Sequence, residues 1–199
     1  MSLRKAYLLI AIILLVDQVS KIYIKTNFIL GEEVKVFDWF RIYFIENEGM
    51  AWGTVIPGEY GKLMLTIFRI FAVFGIAYWL YDASRKNSSN YLITAIALIF
   101  AGAAGNIIDS IFYGVIFSGS QNELATLFPE VPYGTLFHGR VVDMLYFPII
   151  QDYPLPTWFP IWGGETFTFF NAIFNIADMA ISTGLGILIV FNKKAFGNH

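Results

Sequence analysis

The chain has 199 residues, of which 57% are hydrophobic and 14% are charged; because soluble domains usually carry about 25% charged residues, this composition indicates a membrane protein. The net charge of −2, with no basic face along the chain, argues against a nucleic-acid partner. The chain has no cysteine, which excludes disulfides, thiolate nucleophiles and cysteine-bound metal, and His138 and His199 are too few for a histidine-built zinc site, so we expect neither a metal nor another cofactor.

The first apolar run, near residues 6–26, begins just after Arg4 and Lys5 and is long enough to cross a bilayer, which takes about 20 helical residues. Asp17 and Lys21 interrupt the run and no small-residue cleavage site follows, so we interpret it as a retained helix and not as a secretory signal. The two charged residues are four positions apart, and this spacing predicts an ion pair within the helix.

Three further apolar runs, near residues 62–81, 91–113 and 170–191, are also long enough to span. Arg85 and Lys86 join the second run to the third, and Lys193 and Lys194 follow the fourth. Because cytoplasmic loops carry an excess of lysine and arginine, we expect both termini in the cytoplasm. The fold class predicted is a mainly α-helical membrane protein with four transmembrane helices.

The two remaining segments, about 27–61 and 114–169, are predicted to face outward, and all seven prolines lie in them. Residues 34–45 and 135–144 alternate loosely and are rich in β-branched and aromatic side chains, which predicts a small extracytoplasmic β-containing region. The chain contains no internal repeat and no linker composition. We therefore expect a single domain over residues 1–199.

Polar side chains of three segments are predicted to meet near the outer leaflet. Asn106 and Asp109 are three residues apart on the third helix, Asn175 and Asp178 are three apart on the fourth, and each pair shares one helix face. Asp143 lies in the outer segment between these helices. At a rise of 1.5 Å per residue, Asp178 is expected about 10 Å below the outer surface. An ionisable residue in a membrane span is costly, so these carboxylates indicate a functional site.

Five sequence blocks carry a family resemblance: DQVSK (17–21), NEGMAWG (47–53), AGAAGNIID (101–109), VVD (141–143) and FNIAD (174–178). In this order and topology they resemble the lipoprotein signal peptidases, or signal peptidase II, which are membrane aspartic proteases that remove signal peptides from bacterial prolipoproteins. The resemblance implies that Asp143 and Asp178 are the catalytic aspartates. It also implies that five polar residues shape or support the site: Asp17, Asn47, Asn106, Asp109 and Asn175.

The chain departs from the family pattern at two places. Ser110 stands where the family usually has an arginine after the third-helix aspartate, so the ion pair of that arginine with Asp109 is either absent or replaced, with Arg140 and Arg69 as the candidate substitutes. For Arg69, an arginine that reaches the membrane surface is the alternative. The spacing is also longer than the family's, with 34 residues from Asp109 to Asp143 and 35 from Asp143 to Asp178. Insertions of this kind are tolerated in outer segments.

Two close carboxylates share one proton, so one member acts as a base towards water and the other as an acid towards the developing oxyanion, and the sequence leaves their assignment open. Asn175 and Asn106 either orient the carboxylates and hold the peptide, or bridge two helices as structural amides. Residues 47–53 are either a lid over the site or an ordinary turn.

The resemblance implies a diacylglyceryl-prolipoprotein as substrate, cut just before its lipidated cysteine, at the outer leaflet of the inner membrane. Membrane lipid is the other expected partner, and we expect a monomer. A small proton-coupled carrier is the rival interpretation, because intramembrane acids also mark ion paths, but the acids cluster at one leaflet and no inverted repeat is present. A non-catalytic lipid-binding scaffold is a third, which the presence of both aspartates disfavours.

Overall fold

The computed structural model describes residues 1–49 and 60–197. The helices are α1 (Leu3–Asn27), α2 (Gly61–Arg85), α3 (Asn90–Ile108), the short turn α4 (Gly114–Ile116), α5 (Ile176–Val190) and α6 (Asn192–Phe196), with a π-helical turn at Asp109–Tyr113 between α3 and α4. The strands are β1 (Glu33–Phe37), β2 (Phe40–Asn47), β3 (Val141–Tyr146), β4 (Ile150–Pro154), β5 (Thr166–Phe169) and β6 (Ile173–Phe174).

Three helical segments among the described residues are long and apolar enough to cross a membrane: Leu3–Asn27, Gly61–Arg85 and Asn90–Ile116. They match the first three predicted spans. Large apolar side chains on these helices point outward, such as Leu15 on α1 and Phe71 on α2, whereas Asp17 and Lys21 of α1 are fully buried. Helices that face lipid are expected to have this distribution, with apolar residues outside and charged residues inside.

The fourth predicted helix is shorter than the sequence analysis expected. It begins at Ile176 and not near residue 170, because Ile173–Phe174 pair with β3 as strand β6. Asn175 then caps the helix: its side chain accepts a hydrogen bond from the backbone N–H of Asp178 (2.9 Å), and the Asp178 carboxylate accepts one from the backbone N–H of Asn175 (3.3 Å). At 15 residues, α5 is about 22 Å long.

The predicted outer sheet is present, with different boundaries. Its four strands follow the order β1-β2-β3-β6, and all neighbouring pairs are antiparallel. Residues 34–45 form a hairpin of two strands, and the second predicted strand is confined to Val141–Tyr146. The stretch before it packs on the end of α3 instead, where the N–H groups of Gly139 and Gly134 donate to the carbonyls of Ser110 and Gly114 (both 2.9 Å).

Two apolar clusters enclose a polar layer. The first fills the space between the helices and is built from small and branched residues such as Ala6, Ile10, Ile93 and Ile96. The second lies under the sheet and is formed by Ile24, Phe44, Tyr113, Phe117, Ala125, Val142 and Met144. Asp17, Lys21, Asn106, Asp109 and Asn175 are buried between them. The sheet and the helix ends therefore meet on a layer of polar side chains, where the candidate site lies.

Candidate active site

Asp143 and Asp178 are joined by a network of two side-chain amides. Asn175 Nδ2 donates to Asp143 Oδ1 (2.6 Å) and to Asn106 Oδ1 (3.1 Å), and Asn106 Nδ2 donates to Asp178 Oδ1 (2.8 Å). Asp143 comes from β3, Asp178 from the first turn of α5 and Asn106 from the last turns of α3. The structure thus brings together the polar groups of three segments, at the N-terminal end of α5.

Local structure fixes the position of each carboxylate. The pairing of Leu145 with Phe174 holds β6 beside β3, so Asn175, the next residue, lies next to Asp143. The capping box of α5 then holds Asp178, three residues further on. Asp178 lies in the first turn of α5 and therefore close to the N-terminal end of the helix. The depth of about 10 Å predicted from the sequence assumed that the helix begins near residue 170.

Asp143 is almost fully buried, and its electrostatic environment favours the protonated form. Burial raises the pKa of this carboxyl from 3.8 to about 7, and the nearby Asp178 carboxylate contributes to the increase. The hydrogen bonds from Asn175 and Asn47 act in the opposite direction. The result is a carboxyl group that exchanges its proton near neutral pH, as an acid or base in catalysis must.

Asn47 reaches Asp143 from the end of β2. Its Nδ2 donates to Asp143 Oδ2, and its Oδ1 accepts a hydrogen bond from the backbone N–H of Gly49 (2.6 Å). Gly49 has φ +89°, a backbone conformation that favours glycine, and a Cβ at this position would also displace the guanidinium of Arg69. The rest of the expected lid, residues 50–53, lies outside the described residues.

A layer of charged residues lies beneath the amides. Lys21 Nζ contacts Asp17 Oδ2 (2.9 Å), Asp109 Oδ2 (2.8 Å) and Asn106 Oδ1 (2.8 Å). The predicted ion pair within α1 is therefore confirmed. Asp17 Oδ1 also accepts a hydrogen bond from the backbone N–H of Ala177 (2.9 Å), so α1 holds the start of α5.

The cation in contact with Asp109 is Lys21, and neither candidate arginine forms an ion pair with this carboxylate among the described residues. Arg140 lies instead beside Glu48 (3.3 Å) and Glu46 (3.6 Å). With Ser110 in place of the family arginine, the Ser110 hydroxyl donates to the backbone carbonyl of Asn106 (3.0 Å).

Arg69 faces the same region from α2. Its Nη1 is buried and has no hydrogen-bond partner within residues 1–49 and 60–197, and its charge interacts with those of Asp178 and Asp109. Of the two roles considered for Arg69, this environment favours the counter-ion. His138 lies in a loop, with Nδ1 at 2.9 Å from both Thr135 Oγ1 and the Leu136 carbonyl.

The sequence analysis missed three residues of this region. Gln18 Nε2 donates to Asp109 Oδ1 (2.9 Å), and Lys25 forms a buried ion pair with Glu46. Lys25 Nζ also donates to Ser120 Oγ (2.9 Å). The signal for Lys25 was available, because it continues the spacing of four from Asp17 through Lys21 and so lies on the same buried face of α1. Glu46 gave no signal, since its burial depends on contacts with segments distant in the sequence.

Comparisons with known proteins agree with one another. A family model described as Signal peptidase (SPase) II matches residues 9–193. A lipoprotein signal peptidase of Porphyromonas gingivalis is 50% identical over 184 residues, which cover 92% of this chain and 80% of that protein. One from Amoebophilus asiaticus is 36% identical over 198 residues, 96% of this chain and 78% of that protein. A solved bacterial membrane enzyme superposes with a TM-score of 0.65 at 24% identity, over 99% of this chain and 93% of that one.

Proposed function

The chain belongs to the signal peptidase II family, and on this basis we propose that it removes the signal peptide from diacylglyceryl-modified prolipoproteins with Asp143 and Asp178 as an aspartic dyad. The observation that carries the proposal is the hydrogen-bonded path from Asp143 through Asn175 and Asn106 to Asp178. This path holds two carboxyl groups from different elements in one fixed arrangement, which is what catalysis by paired acids requires.

Asp143 is the member of the dyad that holds the proton, because burial and the Asp178 charge raise its pKa to about 7. Asp178, as the ionised member, takes a proton from water while the water oxygen bonds to the scissile carbonyl carbon. The Asp143 carboxyl donates a hydrogen bond to the oxyanion that forms. When the C–N bond breaks, the oxyanion re-forms the carbonyl and Asp178 gives the proton that it took from water to the leaving amine of the lipidated cysteine. The signal peptide leaves as a carboxylic acid, which ionises by releasing its proton to water.

The surrounding residues keep this arrangement in place. Asn47 holds the second oxygen of Asp143. Asp17 and Asp109, joined by Lys21, fix α1 and α3 against the start of α5. Arg140 acts at a distance from the dyad, where it holds Glu46 and Glu48 at the end of β2. These are positioning roles, since none of the four charged groups hydrogen-bonds to Asp143 or Asp178 within the described residues.

In the proposed topology, α1, α2 and α3 each span the membrane, and α5 together with α6 forms a fourth span. The protein lies in the inner membrane, and both of its termini are in the cytoplasm. The basic residues at the ends of these helices support it. The dyad then lies near the outer leaflet, where the acyl chains of a diacylglyceryl substrate would hold the scissile bond. A monomer suffices, because every contact of the dyad described above comes from one chain.

The buried apolar cluster argues against a proton-coupled carrier. Residues such as Ile10, Ile93, Ile96 and Ala97 fill the space between α1, α2 and α3 on the cytoplasmic side of the polar layer. A proton path needs polar groups or water across this depth. The polar side chains that the structure buries within the described ranges lie at or above the level of Asp17 on the way to the sheet, which suits a site open to the outer leaflet.

The test is cleavage of a purified precursor by the purified protein in detergent. The matched substrates are a diacylglyceryl-modified prolipoprotein and the same precursor without the lipid, and mass spectrometry maps the cut. We expect cleavage of the modified precursor alone, at the bond before the lipidated cysteine. A folded protein that cuts neither substrate, or that cuts elsewhere, would contradict the proposal.

A further inference from the structure

The second sheet is a two-stranded hairpin that exposes large apolar side chains. Strands β4 and β5 pair with each other, and residues 155–165 form the turn between them. Trp158 is 78% exposed, Ile161 is 88% exposed and Trp162 is 55% exposed at this turn. A two-stranded hairpin is marginally stable in water by itself, so a surface of this kind needs a cover.

The charges of the hairpin and its neighbouring residues restrict which kind of partner covers this apolar surface. The chain has no lysine or arginine between residues 141 and 192, and Asp152 and Glu165 are the only charged residues between 144 and 177. A partner recognised through its own acidic groups would find no cation here. Tryptophan and phenylalanine next to few charges are instead the residues that accumulate at the boundary between lipid headgroups and acyl chains.

The hairpin is also continuous with the aromatic surface beside α5. Successive ring centroids lie 6.4 Å apart from Phe167 to Phe169, 6.4 Å from Phe169 to Phe170 and 6.0 Å from Phe170 to Phe174. The series continues from Phe174 to Phe147 at 5.6 Å. Phe174 directly precedes the cap of α5, so the aromatic series starts at the outer end of a membrane helix and leads into the hairpin.

We propose that the β4–β5 hairpin lies in the outer leaflet, with Trp158, Ile161 and Trp162 among the lipids at the headgroup boundary. The lipid surface then covers the exposed rings, and the hairpin adds to the lipid-facing surface that α1 and α2 provide. The backbone of β4 and β5 restricts the depth of the hairpin: the two strands hydrogen-bond to each other, but each also has an unpaired edge. Because open sheet edges do not occur in the hydrocarbon region, the hairpin lies at the headgroup boundary, where water and headgroups satisfy these edges. This placement in the outer leaflet rests on the topology proposed above and not on the protease chemistry.

The absence of cysteine makes a direct test available. Trp158→Cys is labelled with an environment-sensitive fluorophore and the protein is reconstituted in phosphatidylcholine vesicles. Quenching is measured with iodide on both sides of the bilayer and, separately, with nitroxide-bearing lipids. Gln121→Cys, in the polar loop 118–123, is the matched water-exposed control, and Phe71→Cys, on the exposed face of α2, is the lipid-exposed control.

We expect the label at position 158 to be quenched by headgroup-level nitroxide lipids and to be several-fold less sensitive to iodide than the label at 121. Iodide quenching equal to that at 121 would overturn the proposal. Shielding from both quenchers would also overturn it, because a second protein surface would then cover the hairpin. Trp162→Cys repeats the measurement at an independent position, so that a local disturbance by one substitution does not decide the result.

Discussion

At the scale of single residues, Lys21 is the cation that neutralises the buried carboxylates of the helix bundle. It is fully buried and contacts two carboxylates, Asp17 and Asp109. We expect Lys21→Met to lower the free energy of unfolding by about 3–5 kcal/mol, because it leaves two uncompensated charges inside the protein. Thermal unfolding in detergent measures the effect, and Lys5→Met, at an exposed position of the same helix, is the control. Equal melting temperatures for the two variants would show that Lys21 does not hold the layer together.

The raised pKa of Asp143 predicts that the stability of the protein depends on pH. Its pKa is about 7 in the folded state against 3.8 for the free group, so between these values the folded protein keeps a proton that the unfolded chain has lost. The free energy of unfolding should therefore decrease as the pH rises from about 4 to about 7 and remain lower above that. Asp143→Asn, which does not titrate, should unfold with a smaller difference between about pH 5 and about pH 8. An unchanged difference would contradict the assignment.

Some residue positions were predictable from sequence and others were not. The helix spacing of Asn106 with Asp109, and of Asn175 with Asp178, placed these side chains on shared faces, and the structure brings the two faces together. The partner of Asp109 could not be obtained in this way. Lys21, Arg69 and Arg140 are all far from it in sequence, and only the packing of α1 against α3 selects Lys21.

At the scale of elements, the approach of α3 to α5 depends on glycine. A Cβ on Gly102 would collide with the backbone carbonyl of Ala177, which cannot move without displacing the start of α5. We expect Gly102→Ala to lower both the melting temperature and the rate of cleavage. Gly75→Ala on α2 is the matched control, because no atom lies within 4 Å of its added Cβ, and it should be neutral or stabilising by about 0.5–1 kcal/mol. Similar effects of both substitutions would contradict this packing.

The boundaries of the elements show where sequence patterns stop being sufficient. The first three membrane helices follow from length and hydropathy alone. The start of α5 does not, because the apolar residues Ile173 and Phe174 could continue the helix towards its N-terminus, whereas they pair with β3 as strand β6. The same holds for residues 135–140, whose β-like composition is overridden by hydrogen bonds to the end of α3.

At the scale of the whole molecule, the proposed topology predicts which positions each side of the membrane exposes. Lys86, between α2 and α3, should lie in the cytoplasm, and Gln121, in the loop before β3, should lie outside. Single cysteines at these positions can be labelled in spheroplasts with a membrane-impermeant maleimide. We expect Gln121→Cys to react in intact spheroplasts and Lys86→Cys only after lysis. The reverse pattern would invert the topology and place the dyad on the wrong side for a lipoprotein precursor.

In the whole molecule, a layer of buried charged residues lies next to the two carboxylates Asp143 and Asp178. Charged pairs within the bundle, such as Lys21 with Asp109, fix the helices, and the amides of Asn106 and Asn175 connect that charged layer to the two carboxylates above it. The two carboxylates of the proposed dyad are therefore held by buried ion pairs on the helix side and by the sheet on the other.

The most direct measurement is cleavage of the diacylglyceryl-modified precursor by wild type, Asp143→Asn and Asp178→Asn, each with its folding checked by thermal unfolding. We predict that both variants fold and that their rates fall to less than about one thousandth of wild type. Asp152→Asn, which changes an exposed carboxylate in the hairpin, should keep the wild-type rate. A folded Asp143→Asn or Asp178→Asn protein that still cleaves at a rate near that of wild type would contradict the dyad.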